Sequence, residues 1–574
     1  MTDWPLSSVI QYLRIKSLGL IILCFLFGSL PLLIPFLKGN HKRDDSFFTN
    51  HKTLVAVSFF LILGSLVRVS FLDSFPSGLN QDEASAGYEA FAILTTGMDR
   101  HGNQAPVHFV SWGSGQNVLY SYLAIPFIAL LGNTTIALRL PMALLSCVTL
   151  YALYYTIASL KDEKTALLFL AFLAINPWHI SKSRWALESN LFPELVLLTL
   201  LLLLYSIRKK KYVFFYLSAF LFGLSSYSYG TSYFFLFFFI LSLLVYLAIR
   251  KEVKLIHLFC YLFTVFVTCI PIILFLYVNL FDKDTIRLLW FDIPKLTQDR
   301  FHSVTSFFSK TFFQDCLNNI TSTFALIFTQ YDGLPWNATE FFGTMYLFTL
   351  PFSLIGLFHP LYKSSKENLT ASLLPKKRSE ETYQFALTSW FIVSLFLGMF
   401  IKPNINRVNT LWFPLILFAA QGISDVIQKV KSLKVPLSLL YLSSFVAYGA
   451  YQTTYFDKNR IQPNFYYGFK EACLYAKDLN PIHTYVTPKA NYTLLLYYTE
   501  YDVNTYIDTI IFTNPGSAFE NVKSFKGYTF SLPQTVQKGF CYIVSIYDKL
   551  YQESESLPYE TTSFGNFCVI DCTI

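Results

Sequence analysis

Residues 54–97 read LVAVSFFLILGSLVRVSFLDSFPSGLNQDEASAGYEAFAILTTG. The apolar run Leu54–Leu72 is long enough to cross a bilayer as a helix. About ten residues beyond it, Asp82 and Glu83 begin a predicted short amphipathic helix, Glu83–Leu94, for which Asp82 is a suitable N-cap. Because ionisable groups near membrane depth are costly, an acidic pair at this position also indicates a functional site.

The composition indicates a polytopic α-helical membrane protein. The chain has 574 residues, of which 53% are hydrophobic, 18% aromatic and 14% charged, and its mean hydropathy is +0.43. Apolar stretches of about 17–25 residues, the length of a membrane-spanning helix, recur along it. The net charge of +8 does not indicate binding of nucleic acid, because the basic residues fall in short loops between the apolar stretches.

The basic loops orient the chain, because connections rich in Lys and Arg stay in the cytoplasm. They are Lys38–Lys52, Lys161–Lys164, Arg208–Lys211, Arg250–Lys254, Lys363–Arg378 and Lys429–Lys434. With all six inside, outward spans are predicted near 53–72, 165–182, 212–228, 255–278, 385–400 and 435–451, and inward spans near 134–160, 190–207, 233–249, 341–361 and 408–426. The short segment Gln116–Leu131 is predicted to lie along the interface. Leu18–Leu37 is either a twelfth span or a hairpin at the interface, because it contains two prolines.

This topology, of about 11–12 transmembrane helices, divides the chain into three predicted parts. Residues 1–52 form an N-terminal hydrophobic segment and a cytoplasmic loop. Residues 53–451 form the transmembrane domain, with extracytoplasmic loops at 73–133 and 279–340. Residues 452–574 form a small extracytoplasmic domain. The sequence therefore predicts a multi-pass protein of the plasma membrane, of a bacterial kind, with Asp82 and the C-terminus outside.

The last part of the chain has short, broken apolar runs, which predict a small α/β domain. Phe469–Asp478 is predicted as a helix, and the predicted strands are Thr484–Thr487, Leu494–Thr499, Thr509–Thr513 and Cys541–Ile546. Among the nine cysteines, Cys24, Cys147, Cys260 and Cys269 fall in apolar runs and are expected to serve in packing. Cys541, Cys568 and Cys572 lie in the external domain, where a disulfide is possible.

Four motifs follow one another along the chain. QDEASAGYEAFAILTTGMDRHGNQAPVHF (81–109) precedes NTTIALRLPMALLS (133–146), NPWHISKSRWALESNLFPE (176–194) and IKPNINRVNTLWFPLILFAAQG (401–422). In order and in predicted placement on one side of the membrane, they resemble the GT-C membrane glycosyltransferases of the protein O-mannosyltransferase and aminoarabinose-transferase type. The resemblance covers most of residues 53–425. It implies a GT-C-like fold and a sugar donor linked to a polyprenyl phosphate.

The resemblance also implies roles for three carboxylates. Asp82 matches the first acid of the pair that follows the first core span, the proposed base, which would remove the proton of an acceptor hydroxyl. Glu83 would shape the site or support Asp82. Glu188 matches an acidic position in the next outer loop, although Glu stands where Asp is expected. An alternative for Glu188 is a solvated acid paired with Arg184.

A departing lipid phosphate needs cations to stabilise its growing charge. Arg139, Arg184, Lys402 and Arg407 all lie near the predicted outer ends of spans, and Arg suits bidentate recognition of phosphate. Arg407 matches a basic position of the family, and Arg407 and Arg139 are the favoured pair. The alternative is that some of these side chains only contact lipid headgroups.

Two further loops are weaker candidates for substrate contact. In GMDRHG, Asp99 and His101 match a loop that closes over the sugar in the family and binds metal in some members. His101 lacks a second histidine at metal-binding spacing, so a structural or substrate-contacting role is favoured over a divalent metal site. Tyr331, Asp332 and Trp336 stand where such enzymes line the donor pocket, although Tyr and Trp also anchor proteins at the interface.

Together these residues predict an inverting glycosyltransferase. It would move a hexosyl or pentosyl group from an undecaprenyl- or dolichyl-phosphate donor to a hydroxyl of an extracytoplasmic acceptor, such as a cell-envelope polymer, a lipid or a protein. The alternative is a membrane transporter or flippase of lipid-linked sugars, although transporters usually show paired halves with broken helices near the midplane. A non-catalytic assembly subunit is a third reading, against which the intact Asp82 argues.

Overall fold

The computed structural model describes residues 51–299, 305–307, 309–359, 375–553 and 558–573. The predictions for Leu18–Leu37, for Cys24, and for most of the first and fifth basic loops lie outside these residues. The described chain is a bundle of long apolar helices followed by a domain built on a β-sheet. The predicted fold class is confirmed.

The helices of the bundle are bounded by short loops. In chain order they are α1 His51–Val69, α2 Gln81–Thr96, α3 Leu119–Leu131, α4 Thr135–Leu160, α5 Glu163–Ala174, α6 Pro177–Ser183, α7 Glu188–Lys209, α8 Tyr212–Ser225, α9 Ser232–Ile249, α10 Leu255–Leu280, α11 Phe312–Thr329, α12 Leu350–Leu357, α13 Pro375–Phe400, α14 Trp412–Lys429 and α15 Lys434–Tyr451. A two-stranded hairpin, β1 Ile286–Arg287 with β2 Asp292–Ile293, follows α10.

Within the described residues, eight helices are long and apolar enough to cross a membrane, and three shorter apolar helices accompany them. The shorter helices are Leu119–Leu131, Tyr212–Ser225 and Leu347–Leu357. The predicted span 165–182 is divided into α5 and α6, because Asn176 caps a new helix through the N–H of His179 (2.9 Å) and Pro177 occupies its first turn. The chain is an integral membrane protein.

The bundle has two ends with different chemistry. At one end, Lys161 pairs with Glu380 (3.4 Å) and Arg250 pairs with Glu381, so predicted cytoplasmic loops meet there. At the other end, Asn409 donates to the carbonyl oxygen of Ser189, which joins the start of α14 to the start of α7. The predicted alternation of outward and inward helices is consistent with these contacts. Which end faces the cytoplasm stays a prediction.

The C-terminal domain is a mixed seven-stranded sheet in the order β4-β5-β6-β3-β7-β9-β8. Its strands are β3 His483–Val486, β4 Ile511–Phe512, β5 Val522–Phe525, β6 Tyr528–Thr529, β7 Phe540–Ser545, β8 Glu560–Phe564 and β9 Phe567–Asp571. Its helices are α16 Phe469–Asp478, α17 Tyr492–Thr499, α18 Val503–Thr509 and α19 Lys549–Glu553. Before it, α15 continues as a wider π-helical segment, Gln452–Ile461.

One strand prediction in this domain is wrong, and a second is correct only in part. Leu494–Thr499 is part of α17, which begins where the side chain of Asn491 accepts from the N–H of Thr493 (3.0 Å). Every residue of α17 is buried, so its apolar run shows no helical periodicity and resembles a core strand. Of Thr509–Thr513, only Ile511 and Phe512 form a strand, because α18 extends to Thr509.

The possible disulfide of the external domain is not formed. The eight described cysteines are all free. Cys568 and Cys572 lie in the hydrophobic cluster on one face of the sheet, whereas Cys541 lies in the cluster on the other face. Since all three are buried, they behave as small core residues.

Candidate active site

Helix α2 begins at Gln81, slightly before the predicted start at Glu83, and its cap is Asn80. The side chain of Asn80 accepts from the N–H of Asp82 (2.9 Å), and the Glu83 carboxylate accepts from the N–H of Asn80 (3.0 Å). This is a capping box with Asn in place of Ser or Thr. The predicted capping role of Asp82 is therefore wrong, and its side chain lines a cavity instead.

Glu83 and Arg139 form a fully buried ion pair. Arg139 donates Nε to Glu83 Oε1 (2.9 Å) and Nη2 to Glu83 Oε2 (3.0 Å). Its other contacts are the carbonyl oxygens of Leu72 (3.0 Å), Pro76 (2.7 Å) and Gly78 (2.7 Å). A guanidinium has five N–H donors, and these five bonds use all of them.

This ion pair fixes the segment that joins α1 to α2. Glu83 Oε1 also accepts from the N–H of Ala186 (2.9 Å), so the connection, α4 and the start of α7 meet at one carboxylate. Binding a phosphate at Arg139 would require breaking these contacts. The geometry fits a positioning role for both residues, which agrees with the predicted support of Asp82 by Glu83 but differs from the predicted contact of Arg139 with phosphate.

Asp82, Glu188 and Arg407 line one cavity of about 410 Å³. Asp82 and Glu188 are close enough for their charges to interact. The walls come from six parts of the chain, namely the start of α2, the loop 112–116, the start of α7, the loop between α8 and α9, the loop before α14, and the C-terminal domain. The remaining lining residues are Gln81, Trp112, Ser114, Gly115, Gln116, Leu187, Ser189, Tyr229, Asn404, Asn406, Asn491, Phe519, Glu520 and Asn521.

Glu188 is held by the neighbouring loop rather than by Arg184. Its Oε2 accepts from the N–H of Asn117, and the side chain of Asn117 donates to the hydroxyl of Tyr233 (3.1 Å). Arg184 instead donates to four carbonyl oxygens at the end of α1, those of Val67, Arg68, Phe71 and Phe75, at 2.8–3.2 Å. A cation there complements the negative end of the helix dipole. The alternative pairing of Glu188 with Arg184 is wrong.

The other two predicted cations lie in the loop before α14. Arg407 lines the cavity, and one of its guanidinium N–H groups donates to the carbonyl oxygen of Lys402 (3.1 Å). The N–H of Arg407 donates to the side chain of Asn404 (2.8 Å), which fixes the turn. The side chain of Lys402 is exposed and does not line the cavity. Of the four predicted cations, Arg407 is the one that shares the cavity with Asp82.

The loop after α2 is held together by Asp99 and Arg100. Asp99 Oδ1 accepts from the N–H groups of His101 (2.9 Å) and Asn103 (2.8 Å), so it shapes the turn. Arg100 lies 3.3 Å from Glu89 and donates to the hydroxyls of Ser85 (2.8 Å) and Ser111 (3.1 Å). These bonds fasten the loop to α2.

The two histidines of this loop both contact backbone carbonyl oxygens. His101 Nε2 is 2.8 Å from the carbonyl oxygen of Ser111, and burial lowers the pKa of His101. His108 stacks on Phe275 at 4.1 Å, its Nδ1–H donates to the carbonyl oxygen of Phe109 (3.0 Å), and burial lowers its pKa to about 4. The described residues contain no group of three or more metal-ligating side chains.

The loop 330–340 reaches the site indirectly. Tyr331 does not line the cavity. Asp332 Oδ2 accepts from the N–H of Ile405 (2.9 Å) and from Asn337 (2.7 Å), so it ties this loop to the loop of Arg407. Trp336 lines a neighbouring apolar groove of about 540 Å³ with Arg184 and Trp185.

Sequence reasoning missed Lys182. Its buried Nζ donates to Asn406 Oδ1 (2.9 Å) and to the carbonyl oxygen of Trp336 (3.2 Å), and it lies 4.6 Å from the ring of Trp185. Within the described chain it forms no salt bridge with a carboxylate. Asn406 belongs to the cavity and both tryptophans belong to the groove, so Lys182 stands between the two. Its place in the motif NPWHISKSRW, just before Arg184, was the available signal.

A second missed feature is a buried polar network that holds α6. Arg68 Nη2 lies 2.6 Å from His179 Nδ1, and His179 Nε2 lies 3.1 Å from Glu194 Oε2. Arg68 also donates to the carbonyl oxygens of Leu173 and Ala174 at the end of α5. The network fixes the helix that carries Lys182.

Part of the chain that contains Glu188 is similar to a known protein family. Residues 116–275 match the model of the family described as dolichyl-phosphate-mannose-protein mannosyltransferase. The predicted resemblance to GT-C membrane glycosyltransferases is confirmed. No curated protein matches the chain. The match over residues 116–275 includes Glu188 but neither Asp82 nor Arg407.

Two solved structures of membrane proteins are distantly similar to this chain. ArnT from Cupriavidus metallidurans bound to undecaprenyl phosphate is 11% identical, with a TM-score of 0.48, over 91% of this chain and 98% of that chain. Oligosaccharyltransferase AglB from Archaeoglobus fulgidus, in complex with an inhibitory peptide and a dolichol-phosphate, is 13% identical, with a TM-score of 0.46, over 86% of this chain. The chain covers 62% of the length of AglB.

Proposed function

We propose that this protein is an inverting glycosyltransferase that uses a sugar linked to a polyprenyl phosphate and works on the extracytoplasmic side of the membrane. The observation that carries the proposal is the shared cavity of Asp82, Glu188 and Arg407. A carboxylate can accept the proton of the acceptor hydroxyl, and a cation can stabilise the phosphate that leaves the donor. Their presence in one cavity suits a transfer that needs both.

The reaction is a single displacement. The acceptor oxygen forms a bond to the anomeric carbon as the bond between that carbon and the phosphate oxygen breaks. The electron pair of the broken bond stays with the phosphate, and the acceptor proton passes to the Asp82 carboxylate. Attack from the face opposite the phosphate inverts the anomeric carbon. Glu188 borders the same space and is proposed to orient the sugar hydroxyls.

Arg407 and Lys182 are proposed to meet the phosphate from neighbouring sides. Lys182 is buried and forms no salt bridge within the described chain, and Asp332 is the carboxylate whose charge acts on it, so an anionic ligand would stabilise its ammonium group. The apolar groove beside Lys182 offers a surface for the polyprenyl chain, with Trp185, Trp336 and Phe445 among its lining residues. Arg139 and Glu83 act at a distance by fixing the connection that leads to Asp82.

The test is replacement of Asp82 by Asn in the purified full-length protein. The amide keeps the size of the side chain but cannot accept the proton, so turnover is expected to fall at least about a hundredfold while donor binding persists. The matched control is Asp73→Asn, because Asp73 is exposed and lies before α2 outside the cavity. Near wild-type transfer by the Asp82→Asn protein would refute the assignment of the base.

A further inference from the structure

The C-terminal domain forms one wall of the cavity. Asn491 Nδ2 donates to Gln81 Oε1 (3.3 Å), and the hydroxyl of Thr493 donates to the carbonyl oxygen of Gln81 (3.3 Å). Behind these bonds, α17 packs on α2 in one hydrophobic core that includes Tyr88 and Tyr497. The residue next to Asp82 is therefore in direct contact with the domain.

A second contact holds residues 519–521 over the cavity. The N–H of Glu520 donates to the carbonyl oxygen of Trp112 (2.7 Å), and Gly113 pairs with Phe519 as an isolated β-bridge. Gly113 has φ +104°, and a Cβ there would lie 2.5 Å from the carbonyl oxygen of Ser517. This close approach of two backbones fixes the domain against the loop 112–116.

The chemistry of this wall is polar and aromatic, and its described lining residues carry no cation. The residues of the domain that line the cavity are Asn491, Phe519, Glu520 and Asn521. Facing them are Trp112 and the side-chain amides of Gln81 and Gln116. The cation of the cavity, Arg407, belongs to the loop before α14 instead. Each amide both donates and accepts hydrogen bonds, as a sugar hydroxyl does.

We propose that this wall is the acceptor subsite and that it takes a neutral carbohydrate. The inference rests on the proposed function and deepens it, since it names the class of acceptor for the Asp82 reaction. A sugar ring lies between Trp112 and Phe519, and its hydroxyls bond to Asn491, Glu520 and Asn521. One of its hydroxyl groups then points to Asp82.

The proposed acceptor subsite and the proposed donor site lie in different parts of the cavity. The donor phosphate belongs near Arg407 and Lys182, beside the apolar groove, whereas the wall is built from the domain that follows the last apolar helix. An anionic acceptor would meet the carboxylates of Asp82, Glu188 and Glu520 within one cavity, and like charges repel. A peptide acceptor would need apolar subsites for its side chains, and the lining of this wall is mainly amide and carboxylate.

The experiment measures ligand binding by saturation-transfer NMR on the full-length protein in lipid nanodiscs. The probes are mannotriose, maltotriose and chitotriose as neutral sugars, trigalacturonate as a matched anion, and a Ser/Thr-rich peptide. The variants are Asn521→Ala and Phe519→Leu. The control is Lys523→Ala, an exposed position just beyond Asn521 that does not line the cavity. Binding of polyprenyl phosphate is measured in the same samples.

At least one neutral trisaccharide is expected to bind the wild type and the control equally. Each of the two cavity variants should weaken it roughly three- to tenfold, the size of one hydrogen bond or ring contact. Polyprenyl phosphate binding should not change in these variants. Preference for trigalacturonate or for the peptide, unchanged affinity in both variants, or no binding of any neutral trisaccharide would each overturn the proposal.

The two proposals fail in different ways. If the subsite is wrong but the proposed function is right, the variants bind trisaccharides as the wild type does while transfer still depends on Asp82. If the proposed function is wrong, the trisaccharides bind in an Asn521-dependent way, but the protein neither binds polyprenyl phosphate nor transfers sugar from it.

Discussion

Asp82 and Glu83 are neighbours in the chain but face different surroundings. Successive residues on a helix point about 100° apart, so Asp82 lines the cavity while Glu83 points into the protein and meets Arg139. Asp82 is therefore placed to meet a substrate, whereas Glu83 is placed to hold the connection between α1 and α2. The acidic pair therefore combines two separate requirements in adjacent positions.

The support role can be separated from phosphate binding with two arginines. Arg139→Ala leaves the Glu83 carboxylate buried without its partner, a loss that typically costs about 3–5 kcal/mol. We expect a marked fall in the melting temperature of the detergent-solubilised protein and lower expression. Arg407→Ala, at a partly exposed position, should leave the melting temperature close to that of the wild type.

The same two variants differ in donor binding. A charge-assisted bond to phosphate contributes about 1.5–3 kcal/mol, so Arg407→Ala should weaken polyprenyl-phosphate binding roughly ten- to a hundredfold. Arg407→Lys should recover only part of the loss, since a point charge lacks the bidentate fork. Unchanged binding in Arg407→Ala would leave Lys182 as the cation to test next.

At the scale of single residues, the sequence predicted which residues lie at the site better than it predicted their hydrogen-bond and ion-pair partners. Asp82, Glu188 and Arg407 could be found because each lies in a predicted outer loop at a position that matches the glycosyltransferase family. The bond between Glu83 and Arg139 could not be found, because the two residues are far apart in the chain and pair only once α2 and α4 pack. Lys182 was missed for the same reason, since its role depends on Asn406 and Trp336 in remote loops.

The loop 97–118 is the element that covers the cavity beside α2. It has little regular structure, and buried side chains hold it in place, His108 among them. Because the pKa of His108 is lowered in the folded protein to about 4, the folded state binds fewer protons than the unfolded state between pH 4 and about 6.5. The stability from neutral His108 is fully present above about pH 6.5 and is lost as the pH falls.

This sign gives a testable pH dependence. We expect about 2 kcal/mol less stability from this group at pH 5 than at pH 7.5. In His108→Phe, which retains an aromatic ring against Phe275 and cannot titrate, the melting temperature should fall less between these two pH values. An equally steep fall in both proteins would show that His108 does not control the loop.

Helices with a polar face could be predicted, and elements buried on every side could not. Phe469–Asp478 has the predicted bounds because polar and apolar residues alternate at helical spacing along it. The apolar run of α17 carries no such signal, so its helical state depends on Asn491 and on tertiary packing.

At the scale of the whole molecule, the basic loops predict which end faces the cytoplasm. Lys523 is exposed in the C-terminal domain, and Lys209 is exposed at the opposite end of the bundle. We expect Lys523→Cys to react with a membrane-impermeant thiol reagent on intact cells and Lys209→Cys to react only after permeabilisation. The wild type sets the background from the native cysteines. The reverse pattern would place Asp82 in the cytoplasm and contradict the proposed orientation.

The positions of most long helices could be predicted from apolar length and loop charge, whereas the docking of the C-terminal domain could not. Its contacts with α2 join residues some four hundred positions apart, such as Tyr88 and Tyr501, whose hydroxyl and carbonyl oxygen lie 3.0 Å apart. No local pattern records such a contact. The sequence motifs that resemble known glycosyltransferases also end before this domain, so its share in the cavity emerges only from the folded chain.

The cavity wall formed by residues 491 and 519–521 is translated after every other part of the cavity. Asp82, Glu188 and Arg407 are synthesised earlier, so a chain that has been translated only as far as α15 lacks one wall of the cavity. The cavity is complete only when the C-terminal domain has folded against α2. We therefore expect the proposed activity to begin only after the whole chain has been made.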